Sequence, residues 1–108
     1  MYSQMLKGLL EGSILSLISK KDTYGYELLE KLREGGFLHV SDGTIYPLLL
    51  RLEKEKLIES YTRPFETGPR RKYYFITEEG LLALKEIQDY WKDLKKSVNL
   101  FMENEEVK

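Results

Sequence analysis

The chain has no cysteine and a single histidine, His39, in a stretch that reads as a loop. Without thiols there are no disulfide staples and no thiolate metal centre, a composition that suits a reducing cytosol. With one histidine, no glycine-rich phosphate cradle and no clustered ligands, the chain lacks the convergent groups that nucleophilic, metal or phosphoryl chemistry requires, so no enzyme, metal or cofactor is expected. Long apolar runs are absent too. MYSQMLKGLLEGS is broken by Lys7 and Glu11, and no segment approaches the ~20 apolar residues of a membrane span. The expectation is a cytoplasmic protein of one domain, since 108 residues bury one core and leave little spare stability.

What is present is unevenly distributed charge. The net formal charge is only −1, yet Arg51 to Lys72 holds seven cations against four acids, +3, and Thr77 to Lys108 holds five against eight, −3. The local field governs a contact, so the first region suits a polyanion whatever the sum. Its focus is GPRRKYYFIT, residues 68–77, where three cations follow Gly-Pro and run into strand-forming residues. Standing alone, such a charge run is a solvated loop.

Leu6, Leu9, Leu10, Ile14, Leu17 and Ile18 recur at three- and four-residue spacings and predict a helix over 4–19. Asp22 or Thr23 is placed to cap a second helix to about Arg33, stopped by Gly35-Gly36. Phe37 to Val40 reads as a very short strand. A third helix, entered through Ser41 to Gly43, ends near Lys56, with Pro47 close enough to its start to fall among the unpaired donors of a first turn. Leu57–Arg63 and Lys72–Ile76 read as strands joined by the loop PFETGP. Thr77 caps a last helix whose first turn carries Glu78 and Glu79, and ENEEVK at the end looks frayed. Three helices followed by a hairpin is the order of a winged helix-turn-helix: an α+β, mainly α fold, with residues 1–76 as the winged unit and 77–108 as a long C-terminal dimerisation helix packed with helix 1.

On a helical wheel Ile45, Leu48, Leu49 and Leu52 of the third helix share one sector, and Pro47, Leu50, Arg51 and Lys54 the opposite one, with Thr44 and Tyr46 at its margins. Arg51 has the fork for guanine O6/N7 and Lys54 suits phosphate. Thr44 and the Tyr46 hydroxyl suit phosphate or a base edge, and Leu50 a thymine methyl. The plainer reading solvates Arg51 and Lys54 and pairs them with Glu55 or Glu53. Arg70, Arg71 and Lys72 at the mouth or tip of the hairpin favour the first reading, because a wing there leans on the duplex backbone.

DGTIYPLLLRLEKEKLI followed by GPRRKYYFITEEGLLAL, with YGYELLEKL upstream, resembles the PadR family of bacterial transcriptional regulators over nearly the whole chain. The resemblance implies a winged-helix homodimer that represses transcription and leaves its DNA operator when a small molecule or another signal acts. The single last helix looks like the smaller subfamily. By motif match Thr44, Tyr46, Pro47 and Arg51 fall on the DNA-reading helix, Tyr24 on its supporting helix, and Arg71 and Lys72 on the wing. Leu50 departs from the polar residue common at its position. A winged-helix dimer that has lost specific DNA binding and turns its basic face to an acidic protein is the competing class.

Leu84, Ile87, Trp91, Leu94, Val98 and Phe101 form a heptad seam on the last helix, which at 1.5 Å per residue runs about 40 Å, more than a small winged domain needs for its own core. Either a second copy covers the seam or helix 1 of the same chain does. Trp91 reads as a dimer anchor or, by resemblance to multidrug-sensing relatives, as a platform for a flat aromatic effector. Lys95 stands where those relatives carry an acid that attracts cationic drugs. Gly8 and Gly12 beside Met5 notch helix 1, which makes either a close helix contact or the wall of such an effector site.

Overall fold

The computed structural model describes residues 2–65 and 68–103, with side chains from Met5 onward. Four helices and three strands lie among the described residues, in the order α1 (Tyr2–Lys20), β1 (Thr23–Tyr24), α2 (Gly25–Glu34), α3 (Asp42–Lys54), β2 (Ile58–Phe65), β3 (Gly68–Ile76) and α4 (Glu78–Met102). This is the winged helix-turn-helix expected. Leu10, Ile14 and Ile18 of α1 recur every four residues and are buried, with Leu15 beside them, whereas Leu9 points outward. They meet Leu28, Leu29 and Leu32 of α2, Ile45, Leu48, Leu49 and Leu52 of α3, and Ile58, Tyr74 and Leu84 in one core. Each fully buried Leu or Ile there stabilises the fold by about 1.5–3 kcal/mol relative to exposure.

Two helices end alike with different residues. After α2, Gly36 at φ 117° donates its N–H to the Arg33 carbonyl, and Phe37 to that of Leu32, the paired bonds of a Schellman stop. After α3 the same pair runs from Lys56 to Glu53 and from Leu57 to Leu52, but the left-handed position is held by Lys56 at φ 64°, where a Cβ is strained.

The second helix is capped by neither Asp22 nor Thr23: its N-cap is Tyr24, with no side-chain bond. Those residues are committed elsewhere, because Thr23 and Tyr24 pair with Tyr74 and Tyr73 as the third strand of a sheet ordered β1-β3-β2. Phe37 to Val40 is no strand but a turn, closed by Leu38 N–H to the Gly36 carbonyl and Val40 N–H to that of Phe37. The hairpin loop is shorter than PFETGP suggests, since pairing extends to Phe65 opposite Gly68, with an irregularity between Arg63 and Phe65. Pro64 falls in that irregularity, where its missing N–H spares the ladder. Pro47 lies in the second turn of α3 rather than the first, so the carbonyl of Gly43, an exposed residue, has no i+4 N–H donor.

Thr77 caps α4 as expected, its Oγ1 accepting from Gly80 N–H at 3.0 Å and donating to the Lys56 carbonyl at 2.7 Å. Glu78 and Glu79 occupy the first turn. Gly80 is there for space: a Cβ would overlap the Leu57 carbonyl. The expected fraying of ENEEVK falls, beyond Glu103, outside the described residues.

Candidate nucleic-acid interface

Burial of Ile45, Leu48, Leu49 and Leu52 turns the rest of α3 outward, leaving Pro47, Leu50, Arg51 and Lys54 exposed and Tyr46 and Thr44 at the edges. The Tyr46 hydroxyl rests on the start of α2, where a Cβ on Gly25 would come within 2.7 Å of it. Gly25 is thus what lets the two helices of the motif close. Thr44, Pro47 and Arg51 share a cleft with Leu6 and Lys7 of α1. Lys7, which interrupts an apolar run in the sequence, therefore stands as a further cation beside this face.

Arg51 is not free. Its Nη1 lies 3.0 Å from Oε1 of Glu11 on α1, and its Nε donates to Oε2 of Glu55 at 2.9 Å. The Glu55 hydrogen bond, then the charge of Glu11, raise the guanidinium pKa above its already high ordinary value. The Glu55 partner is legible as an i+4 pair, but Glu11 is forty residues away in sequence and is brought in only by packing of α1 on α3. Lys54 pairs with no carboxylate among the described residues.

Glu53 ties the hairpin to this helix, accepting from Ser60 Oγ at 2.6 Å and from Lys72 Nζ at 3.4 Å. Arg70, Arg71 and Lys72 do not form one patch, because successive strand residues face opposite ways. Lys72 points toward α3, and Arg70 Nη2 donates to the Thr62 carbonyl at 3.1 Å. Arg71 faces the outer side, its guanidinium 4.0 Å from the Phe65 ring centroid and 4.7 Å from that of Tyr24. There Tyr24, Tyr61, Phe65 and Tyr73 make an aromatic layer, with Arg63 3.8 Å over Tyr73. Tyr61 donates to Asp22 at 2.7 Å, a bond that holds its phenol pKa above the ordinary value. The ring of Tyr24 thus belongs to the wing's outer layer.

The seam of α4 divides. Leu84 is buried in the protomer's own core and Ile87 packs half-buried against it, so both are engaged within the protomer. Trp91, Leu94, Val98 and Phe101 are exposed, Phe101 by 75%. Beside Trp91 an open groove of about 470 Å3 runs between α1 and α4, walled by Gly8, Gly12, Ser13, Leu17 and Phe37. Met5, expected beside it, does not line the groove. The two glycines have different duties: a Cβ at Gly12 would stand 2.8 Å from Ile87 Cγ2, whereas one at Gly8 meets nothing within 4 Å. Gly12 is the close helix contact and Gly8 the groove wall.

No helix is long and apolar enough to cross a membrane, and no three His, Asp or Glu gather as metal ligands among the described residues. Comparison with known proteins supplies the context for the interface. Residues 14–86 match the family described as "Transcriptional regulator PadR-like family". The chain is 34% identical over 85 residues to a transcriptional regulator of Mycobacterium tuberculosis, covering 79% of this chain and 78% of that one. It is also similar to the crystal structure of a PadR-like transcriptional regulator from Bacillus cereus, with a TM-score of 0.85, 52% identity, and coverage of 94% and 99% of the two chains. A transcriptional regulator from Clostridium thermocellum aligns with a TM-score of 0.82 at 35% identity, over 93% of this chain and 99% of the other.

Proposed function

Because this chain belongs to the PadR-like family of transcriptional regulators, and so is a regulator rather than an enzyme, we propose that it binds a pseudo-palindromic DNA operator as a homodimer and represses transcription there, in the cytoplasm. The observation that carries this reading is the exposed side of α3, with Thr44, Tyr46, Pro47, Leu50, Arg51 and Lys54 outward and a basic hairpin braced against the helix through Glu53. In it Arg51 reads guanine, Thr44, Tyr46 and Pro47 fit the groove wall, and Lys54, Arg70 and Lys72 meet phosphates. Arg71 and Tyr24 stiffen the wing from its outer face, and Arg71 reaches phosphate from that stack. Trp91, Leu94, Val98 and Phe101 clasp a second copy, presenting two reading helices to successive major grooves about 34 Å apart. A flat aromatic effector, stacked on Trp91 in the groove beside Gly8, would release the operator by disturbing that clasp.

A second reading has an observation of its own. Pairing of Arg51 with Glu11 and Glu55, and of Lys72 with Glu53, weakens the positive face, as suits a winged-helix interaction module. Titration of promoter duplexes at several salt concentrations separates the two. A regulator selects one operator with a steep log-log salt slope, whereas a module binds weakly and without preference. Arg51→Ala is expected to lose about 1–3 kcal/mol of operator affinity and to relax preference at one base pair. Equal loss on random DNA removes its base-reading role. Trp91 fluorescence that stays unchanged across a panel of flat aromatic compounds removes the effector.

A further inference from the structure

Arg51 enters the proposed interface already bound on two sides, by a carboxylate of its own helix and by one from α1. A guanidinium has five N–H groups, and a fork on guanine uses two that converge on O6 and N7. With Nη1 3.0 Å from Glu11 and Nε on Glu55, the N–H groups left for a guanine fork are those of Nη2 and the second one of Nη1, and the fork has to form with a carboxylate on either side of it. The two partners differ. Glu55 is half-exposed and follows Arg51 around the same helix, whereas the Glu11 side chain is 20% exposed and is held by a helix packed into the core.

We infer that Glu11 is a gate on Arg51 that sets the discrimination between operator and random DNA. A random duplex offers Arg51 only phosphate attraction, which the Glu11 carboxylate opposes and competes with. A guanine in register is neutral, so it does not depend on the net charge that Glu11 cancels, and it offers two directed acceptors to the N–H groups that the carboxylates leave free. The gate thus takes more from sequence-blind binding than from specific binding. It is also mechanically placed: Glu11 precedes Gly12, whose close contact with Ile87 seats α1 on α4, so a displacement of α1 along that contact moves the gate carboxylate relative to α3.

This inference rests on the DNA-reading role proposed for Arg51, and the test keeps the two apart. An operator is selected from a random-sequence duplex pool with the wild-type protein. Operator and random-duplex affinities are then measured from 0.05 to 0.3 M salt, roughly the range in which counterion release dominates, for wild type, Glu11→Gln, Arg51→Ala and the double variant. Neutralising one more phosphate in 0.1 M salt strengthens binding by up to about eightfold, so Glu11→Gln is expected to raise random-DNA affinity by several-fold up to that limit and to steepen its salt slope by about 0.9. Operator affinity changes less, and the ratio between the two falls. In the Arg51→Ala background the same exchange has no such effect. Unchanged affinities for Glu11→Gln, an equal rise on both duplexes, or a rise that persists without Arg51 each overturn the gate and leave the DNA-reading proposal standing. Failure of the wild type to select any operator overturns both. Circular dichroism and thermal melting of Glu11→Gln, expected to match wild type, confirm that the readout is binding and not unfolding.

Discussion

The two halves of α4 carry the same apolar spacing and meet different fates. In the N-terminal half Thr77 caps the helix on the Lys56–Leu57 turn, Gly80 sits against the Leu57 carbonyl, and Leu84 is buried in the core. In the C-terminal half Trp91, Leu94, Val98 and Phe101 continue the stripe into solvent. Periodicity says that a helix face will be covered. It does not say by what, because a neighbouring helix of the same chain and one from a second copy present the same apolar surface to it. What separates the halves is reach: a helix of 25 residues is about 37 Å long at 1.5 Å per residue, and α1, α2 and the sheet support only its beginning.

Substitutions test that division, the most disruptive first. Gly80→Ala drives a methyl into backbone that cannot yield and is expected to destabilise the fold by about 3 kcal/mol, at the upper end of overpacking effects. A urea melt with an unshifted midpoint would show that the locked end is looser than described. Phe101→Asp, in the other half, is expected to leave the helical signal and the melt of the protomer intact while weakening self-association by at least about tenfold, the loss of one buried aromatic anchor. Sedimentation velocity over a dilution series reads this, and an unchanged profile moves the seam away from the dimer contact.

Smaller effects sharpen the boundary. Gly12→Ala, which must push Ile87 aside, is expected to destabilise by about 1 kcal/mol. Gly8→Ala, one turn earlier and facing open groove, is expected to stabilise by up to about 1 kcal/mol through helix propensity alone. Opposite signs in thermal melts are the signature, and equal signs contradict the different duties assigned to the two glycines. Lys56→Gly relieves the left-handed residue under the locked end, and a gain of about 0.5–1 kcal/mol is expected, the Cβ strain less the extra freedom of glycine in the unfolded chain. An unmoved melting midpoint for that variant would mean that the turn holds Lys56 without strain.

Much of the fold was legible because its signals are local. Four-residue spacing of leucines and isoleucines, the Gly35-Gly36 stop and the Thr77 cap each act within a turn or two of chain, and each stands where the sequence places it. The errors concern short strands. Thr23, read from the sequence as a helix cap, pairs together with Tyr24 against β3 fifty residues on, and Phe37–Val40, with strand-forming residues, closes a local turn instead. Likewise, alternation along β3 was available in the sequence and separates Arg71 from Arg70 and Lys72, but the aromatic layer that receives Arg71 is assembled from β1, β2 and β3 together.

The amino-acid sequence by itself determined which faces of the helices are apolar, where the helices stop, and that the cations gather between Arg51 and Lys72, since these follow from spacing and residue type. Only the tertiary structure decided the company each functional group keeps: Glu11 against Arg51, Glu53 bridging Ser60 and Lys72, and Leu84 inside while Trp91 stays out. The reason is physical. Residue spacing and backbone geometry act on neighbours along the chain, whereas burial, ion pairs and close contacts depend on groups within a few ångströms in space, and the chain comes that close to itself only once the core has formed.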